Sequence, residues 1–333
     1  MNWNEAKILV KYASKTRPEK FFQGLDSIVT NLAQPDKCAV VCSFDSDDDT
    51  MNQEWVKEKL TTYPITMIIH RGVSKNKIDA VNRDMNHLHD CSVIICMSDD
   101  MRFIEKGFDD TIRNDFATHF PDGDGCLHYP DQHQGERCMT LNITDSRYFN
   151  RFGYIYHNDY SSVECDLENQ EVAIMLGRYK YVEKRIFNHL HPSFGDTDYD
   201  NQYRKTEAFE IHEADKATRK RRKANNYDLI KTETGWNTPP RKVHMTFPNQ
   251  LTSSDQEFWD SHHANAITNQ EPQMETKTSL PMSVTDLMQN SKKTIALKSK
   301  MDKKIADAQS LAAEINALGI VKIEVSVTEE SLK

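Results

Sequence analysis

Two groups of carboxylates in the first hundred residues of this 333-residue chain are placed to do chemistry. Asp45-Ser46-Asp47-Asp48-Asp49 closes one apolar run, and Ser98-Asp99-Asp100 closes another. Carboxylates crowded at a strand end repel one another unless solvent, a cation or a ligand compensates them. The first group also reads as a solvated acidic turn. An EF-hand is excluded there: Thr50 stands where the loop needs glycine, and Val56 where it needs a bidentate glutamate. The second pair follows directly on a wholly apolar run, where two carboxylates can hold a hard divalent ion, Mg2+ or Mn2+, against a diphosphate. Between the groups lies Arg71-Gly72-Val73-Ser74-Lys75-Asn76-Lys77, a basic loop leading into a helix start, which suits phosphate or a base edge. Neither GxGxxG nor GxxxxGK[ST] occurs, so the dinucleotide and P-loop readings lose their main support.

The elements that must position these groups alternate regularly. Lys7 to Ala13, Cys38 to Phe44, Ile65 to Ile69 and Ser92 to Met97 are short runs that read as buried strands. Helical spacing separates them: Pro18 opens a segment with Phe21, Phe22, Leu25, Ile28, Val29 and Leu32, then come Trp55, Val56 and Leu60, then Lys77 to Leu88. Such alternation predicts an α/β fold, a mainly parallel sheet sandwiched by helices, whose ligand site lies at the carboxyl ends of the strands. The charged groups fall at those ends.

Beyond residue 200 the character changes. A charged helical extension is expected over 206–231, ending near Arg219-Lys220-Arg221-Arg222-Lys223, a basic run that reads as the solvated face or end of a helix. A polar linker of low order is expected over 232–293. Over 294–333, Leu297, Met301, Ile305, Ala308, Leu311, Ile315 and Leu318 form one helical stripe, and Val321 to Val327 alternates as a strand. A lone helix and strand cannot bury these faces, so they are expected to dock on the main domain or on another copy, giving a homo-oligomer.

Composition sets outer limits. With 42 Lys+Arg against 51 Asp+Glu, the net charge of −9 argues against a general nucleic-acid binder. No run approaches the roughly 18–20 apolar residues of a membrane span, and Met1-Asn2-Trp3-Asn4-Glu5 has no leader character, so a cytoplasmic location is expected. The seven cysteines read as buried thiols rather than zinc ligands, since Cys38/Cys42 and Cys91/Cys96 lie within apolar runs.

The succession of strand, Ser14-Lys15-Thr16-Arg17-Pro18, acidic strand end, Lys/Asn helix, strand and Asp-Asp resembles the inverting nucleotide-sugar glycosyltransferases of the GT-A fold, close to family 2. The resemblance covers about residues 5–205, and Ile94 to Met101 (IICMSDDM) carries it most strongly, as a Ser-Asp-Asp variant of the DxD motif. It implies a GT-A (Rossmann-like) domain over 1–205, a nucleoside diphosphate sugar as donor, most commonly a UDP-sugar, and Mn2+ or Mg2+. It further implies Ala13, Ser14 and Arg17 around the nucleotide, Asp45 on the base edge with Asp47 nearby, and Lys75 or Lys77 and Asn82 along the nucleotide. Asp99 takes the ribose side and Asp100 the metal, joined by a late histidine, for which His191 beside Pro192 is preferred. Because Cys165 interrupts the family's usual acidic pair, the resemblance leaves the general base between Glu164 and Asp166, of which Asp166 is preferred. The acceptor stays open: glycan, lipid, protein or modified nucleic acid. The alternatives are a sugar-phosphate nucleotidyltransferase, against which the absence of glycine in Ser14–Pro18 counts, and a non-catalytic structural or binding protein.

Overall fold

The computed structural model of the chain describes residues 2–85, 91–239, 243–244 and 323–324. The chain begins with strand β1 (Ile8–Ala13) and helix α1 (Pro18–Asn31), where Pro18 occupies the first helical turn and Phe21, Phe22, Leu25 and Ile28 turn inward. Strand β2 (Cys38–Asp45), helix α2 (Glu54–Leu60), strand β3 (Thr66–Gly72) and helix α3 (Lys77–Asn82) follow. The α3 N-terminus is capped by Asn76, whose side chain accepts from the Asp79 N–H at 2.9 Å. This helix stops at Asn82, short of the expected Leu88, because Arg83 is extended and its carbonyl accepts from the buried Lys11 ammonium at 2.7 Å. Strands β4 (Val93–Met97) and β5 (Met101–Phe103) and helix α4 (Phe108–His119) come next. The remaining elements are β6 (Cys126–His128), β7 (Asn142–Asp145), α5 (Ser146–Phe152), α6 (Cys165–Met175), β8 (Tyr179–Tyr181), β9 (Phe187–His189), α7 (Asn201–Thr206) and α8 (Phe209–Ala224).

Seven strands form one sheet in the order β3-β2-β1-β4-β7-β6-β8. Pairings β1–β2, β1–β4, β2–β3 and β6–β8 are parallel, and only β7 runs against its neighbours. β1 and β4 are buried along almost their whole length because both faces are covered. Ile8, Val10, Tyr12, Val40, Phe44, Ile95 and Met97 pack with α1, α2 and α4 on one face, while Leu9, Val41, Ile68 and Ile94 pack with α3, α5 and α6 on the other. The mainly parallel α/β architecture is thus as the alternation predicts. A separate antiparallel pair, β5–β9, sets Met101 opposite His189. All seven cysteines are free thiols, and six of them are buried.

Residues 2–238 fall in one compact unit, so the expected boundary at 205 lies inside it. The expected linker opens on a β hairpin, β10 (Ile230–Thr232) with β11 (Gly235–Asn237). In a second unit, β12 (Val243–His244) pairs in parallel with β13 (Ile323–Glu324). The rest of the expected linker and the expected helix from Leu297 to Leu318 lie outside the described residues. Among the described residues no helix is long and apolar enough to cross a membrane.

Candidate functional site

The strand order reverses direction at β1: β2 and β3 lie to one side of it and β4 to the other. In a doubly wound sheet the crevice at such a switch point, outside the carboxyl ends of the strands, is where ligands bind. Here the ends are Ala13-Ser14 and Met97-Ser98-Asp99-Asp100, and the Ser14 hydroxyl donates to Asp99 Oδ2 across the crevice at 2.8 Å. The loop after β1 is held to the turn after β2 by Asp48, which accepts from the Thr16 N–H at 2.6 Å and the Thr50 N–H at 3.0 Å.

A cavity of about 290 Å3 opens at this point. Of the expected nucleotide residues, Ala13, Ser14, Arg17, Asp45, Lys75, Lys77 and Asp99 line it, as does Asp100. Two expected residues do not. Asp47 is exposed and pairs with Lys15 at 3.1 Å. Asn82 is committed to the loop before α6, donating to the Tyr156 carbonyl at 2.6 Å and accepting from the Ile155 and Tyr156 N–H groups.

The two adjacent aspartates differ. Asp99 has both oxygens occupied, one by Ser14 and the other by Arg17 at 3.0 Å. Burial, followed by the charge of Asp100, pushes its pKa up. Burial acts on Asp100 in the same sense, but His189, Lys77 and Tyr203 outweigh it and hold Asp100 well below the usual carboxylate range. Its Oδ2 accepts from Tyr203 at 2.6 Å and lies 3.4 Å from His189 Nε2, whereas Oδ1 is buried without a hydrogen-bond partner. Burial disfavours the charged His189, yet Asp100 and Asp131 raise its pKa to about 9. His191 sits beyond the end of β9 and faces Glu207 at 2.9 Å. The imidazole set against Asp100 is therefore that of His189, which the β5–β9 register brings beside it.

A second cavity of about 550 Å3 adjoins the first, and the two share Lys77, Val81, Ser98, Asp100 and Glu207 in their linings. One wall of it is residues 162–167, which include both candidate bases. Asp166 lies in the first turn of α6, and its Oδ2 accepts from the Cys138 thiol at 3.2 Å. Burial, followed by Asp166, pushes the Cys138 pKa up and keeps it a protonated donor. Glu164 precedes the helix with a left-handed φ of 64°, and its carboxylate pairs with Arg219 at 3.2 Å. The aromatics near residue 156 are largely core: Tyr156 and Tyr160 are buried, and Tyr160 donates to Glu168 at 2.7 Å.

Two side chains near the site, Tyr203 and Asp200, carried no motif. Tyr203 bridges to Asp100, and the Arg17 guanidinium lies 4.0 Å from its ring centroid. Asp200 takes Arg17 at 2.5 Å and Lys20 at 2.9 Å. The basic run is solvated at Lys220, Arg221 and Lys223, as expected, but Arg222 is buried against Glu168, and Arg219 and Lys223 engage Glu171. Among the described residues no three histidine, cysteine, aspartate or glutamate side chains cluster as a ready-made metal site.

No protein-family model matches the chain, and no curated protein matches it. Among solved structures, it is similar to the mannosyltransferase PcManGT from Pyrobaculum calidifontis in complex with GDP-Man and Mn2+, at 14% identity, covering 54% of this chain and 55% of that one, with a TM-score of 0.44. It is similar to S. aureus TarS in complex with UDP-GlcNAc at 13% identity, covering 55% of this chain and 58% of that one, with a TM-score of 0.43. A third similar structure, 4-diphosphocytidyl-2C-methyl-D-erythritolsynthase from Anaerococcus prevotii, is 10% identical and covers 65% of this chain and 97% of that one, with a TM-score of 0.43. The chain spans little more than half the length of the first two.

Proposed function

We propose that this chain is a glycosyltransferase that moves a sugar from a nucleoside diphosphate to an acceptor hydroxyl. The observation that carries the reading is the pair of adjoining cavities that meet at Asp100: one lined by cations and the Asp99–Asp100 pair, the other by Asp166. The first suits the nucleotide and diphosphate, with Arg17, Lys75 and Lys77 as counter-charges and Asp45 toward the base. The second suits the acceptor.

Asp100 Oδ1, buried and without a partner, is the atom that fits a divalent ion. A hard cation can be held by one carboxylate oxygen with the donor's own phosphates completing its shell, so the absence of a three-residue cluster among the described residues is consistent with the fit. When bound, Mg2+ or Mn2+ would offset the charge that grows on the leaving diphosphate. His189 and Tyr203 hold Asp100 ionised and fixed in direction, and Lys77 adds a positive charge between the cavities.

In the reaction, the acceptor oxygen bonds to the anomeric carbon while the bond from that carbon to the diphosphate oxygen breaks, its electron pair leaving with the diphosphate. The acceptor proton passes to Asp166 as general base. Attack from the face opposite the leaving group inverts the anomeric centre. Glu164 is tied to Arg219, which favours Asp166 for this role.

The test is a screen of nucleotide sugars with Mn2+ or Mg2+ on the wild-type chain and on Asp100→Ala, read by thermal shift and by release of nucleoside diphosphate. The expected outcome is metal-dependent binding and turnover of one donor class, lost in the variant. Binding by no nucleotide sugar, or turnover indifferent to both the metal and Asp100, would sink the proposal. Release of pyrophosphate from a nucleoside triphosphate and a sugar phosphate would replace it with nucleotidyl transfer.

A further inference from the structure

Helix α8 reads in the sequence as a solvated, charged appendage, and it lies beyond the segment that carries the strand-end motifs. Two of its sixteen residues are nevertheless buried, and both are charged: Asp215, 1% exposed, and Arg222, 4% exposed. Asp215 accepts from three consecutive backbone N–H groups, those of Ser161 at 3.0 Å, Ser162 at 2.9 Å and Val163 at 2.9 Å. These residues lead straight into the wall of the second cavity, which runs from Ser162 through Asp166 to Leu167. The next residue, Glu164, holds a left-handed backbone that costs a non-glycine residue on the order of 1 kcal/mol and persists only where the surroundings impose it. One turn further along α8, Arg219 takes the Glu164 carboxylate, and a turn beyond that Arg222 takes Glu168 through three hydrogen bonds of 2.7–2.9 Å.

From this arrangement we propose that Asp215 is a positioning residue for the acceptor side of the site. Its carboxylate gathers three N–H groups on one point and so sets the turn that ends in Glu164 and starts α6. That turn fixes where the Asp166 side chain enters the cavity. Arg219 engages the neighbouring carboxylate, Glu164, in an ion pair, which leaves Asp166, among the described residues, as the acid of this wall without a cationic partner of its own. The inference rests on the glycosyltransferase reading and extends it to a helix without any strand-end motif.

The experiment uses the full chain, the nucleotide sugar that the wild type hydrolyses, and water as acceptor. Asp215→Asn keeps the size of the side chain but offers one acceptor oxygen where three N–H groups converge. It is expected to leave UDP affinity within about twofold and to lower hydrolysis kcat about 100-fold, the cost of a catalytic group displaced by about 1 Å. Adding Asp166→Asn to it should lower the rate no further than Asp166→Asn alone, since the two act through one group. Asp215→Glu keeps the charge and moves the carboxylate by one methylene, so it covers the case in which Asp215→Asn does not fold. Its expected signature is a kcat lowered by about tenfold, with melting temperature and UDP affinity unchanged. Hydrolysis at the wild-type rate by a folded Asp215→Asn or by Asp215→Glu would overturn the proposal, as would independent, multiplying effects in the double variant. A wild type that hydrolyses no nucleotide sugar overturns the underlying reading, which is a different and separable result.

Discussion

The acidic groups of the first cavity stand at strand ends, whereas the acids of the second cavity's far wall stand at a helix start that another helix holds in place. In the first, Ser14, Asp45, Asp99 and Asp100 extend from β1, β2 and β4, whose backbones are already fixed by parallel pairing and burial on both faces. Little further support is needed, and adjacent side chains do the rest, as Ser14 and Arg17 do for Asp99. The second cavity shares Ser98 and Asp100 with that frame, but its wall from the α6 side does not have it. That wall, 162–167, follows α5 and runs into the first turn of α6, bends through a left-handed residue and depends on charges from α8, more than fifty residues later in the chain. A sheet positions by pairing, and a loop has to be positioned by partners.

The largest expected effect separates the two cavities chemically. Asp166→Asn should lower kcat by about 10²–10⁴-fold, the usual worth of a general base, while leaving nucleotide affinity unchanged, measured by UDP titration and steady-state turnover. Glu164→Gln should change kcat by less than about tenfold, because its carboxylate is spent on Arg219. The reverse ranking would move the base to Glu164. Next in size, Asp100→Ala should cost about 10²–10³-fold in kcat, as does loss of one preorganised electrostatic partner, but with donor affinity lost as well. A split of kcat from affinity in one variant, and their joint loss in the other, is what two cavities meeting at Asp100 require.

The difference between the cavities also explains what could be read in advance. The strands and the alternation were legible, and seven of the nine residues expected on the nucleotide side line the first cavity, because a buried parallel strand announces itself as an apolar run and polar residues at its end follow directly. Asp47 and Asn82 do not line that cavity: each lies near the crevice in sequence, but one is exposed and the other is engaged by the loop at 155–158. The imidazole beside Asp100 is that of His189, two positions before the expected His191. Pro192 drew attention to His191, whereas what matters is the pairing of β9 with β5, a register between segments some eighty residues apart. Helix α8 is the charged helix expected, but its two buried residues, Asp215 and Arg222, were not foreseen, because apolar periodicity is blind to a face that buries charge. The signal was present in another form: Asp215, Arg219 and Arg222 recur at spacings of four and three, a helical stripe made of ionic groups.

That stripe gives the next test. Arg222→Met removes a buried guanidinium and leaves Glu168 charged without its main partner, which should cost about 3–5 kcal/mol of unfolding free energy in denaturant titration. Arg222→Met combined with Glu168→Gln should recover part of that loss, since the stranded charge is gone. If the single variant is as stable as wild type, the ionic docking of α8 is superficial and the contrast between the regions weakens. A smaller effect is expected inside the second cavity. Cys138→Ala deletes the thiol that donates to Asp166 and should lower kcat by about two- to tenfold, the range of one hydrogen bond. Cys138→Ser should restore most of it.

The smallest expected effect concerns the sheet itself, at the end that supports the second cavity. His128 on β6 is buried, stands 2.7 Å from the Tyr179 hydroxyl of β8, and has its pKa lowered to about 4, chiefly by burial. A histidine unfolded at its ordinary value of about 6.5 binds a proton there more readily than the folded one does. Between these two values the unfolded state carries more protons, so stability rises with pH and is lost as pH falls from 6.5 toward 4. The loss should amount to about 1–2 kcal/mol after allowance for partial solvent screening. It should be localised: amide exchange along β6 and β8 is expected to speed up on acidification before that of β1 and β2, whose pairing involves no such group. His128→Phe should flatten the acid limb. Equal acid sensitivity of both ends of the sheet, or an unchanged limb in His128→Phe, would show that the strands behind the second cavity are as firmly set as those behind the first, and that the distinction between the regions stops at the loops.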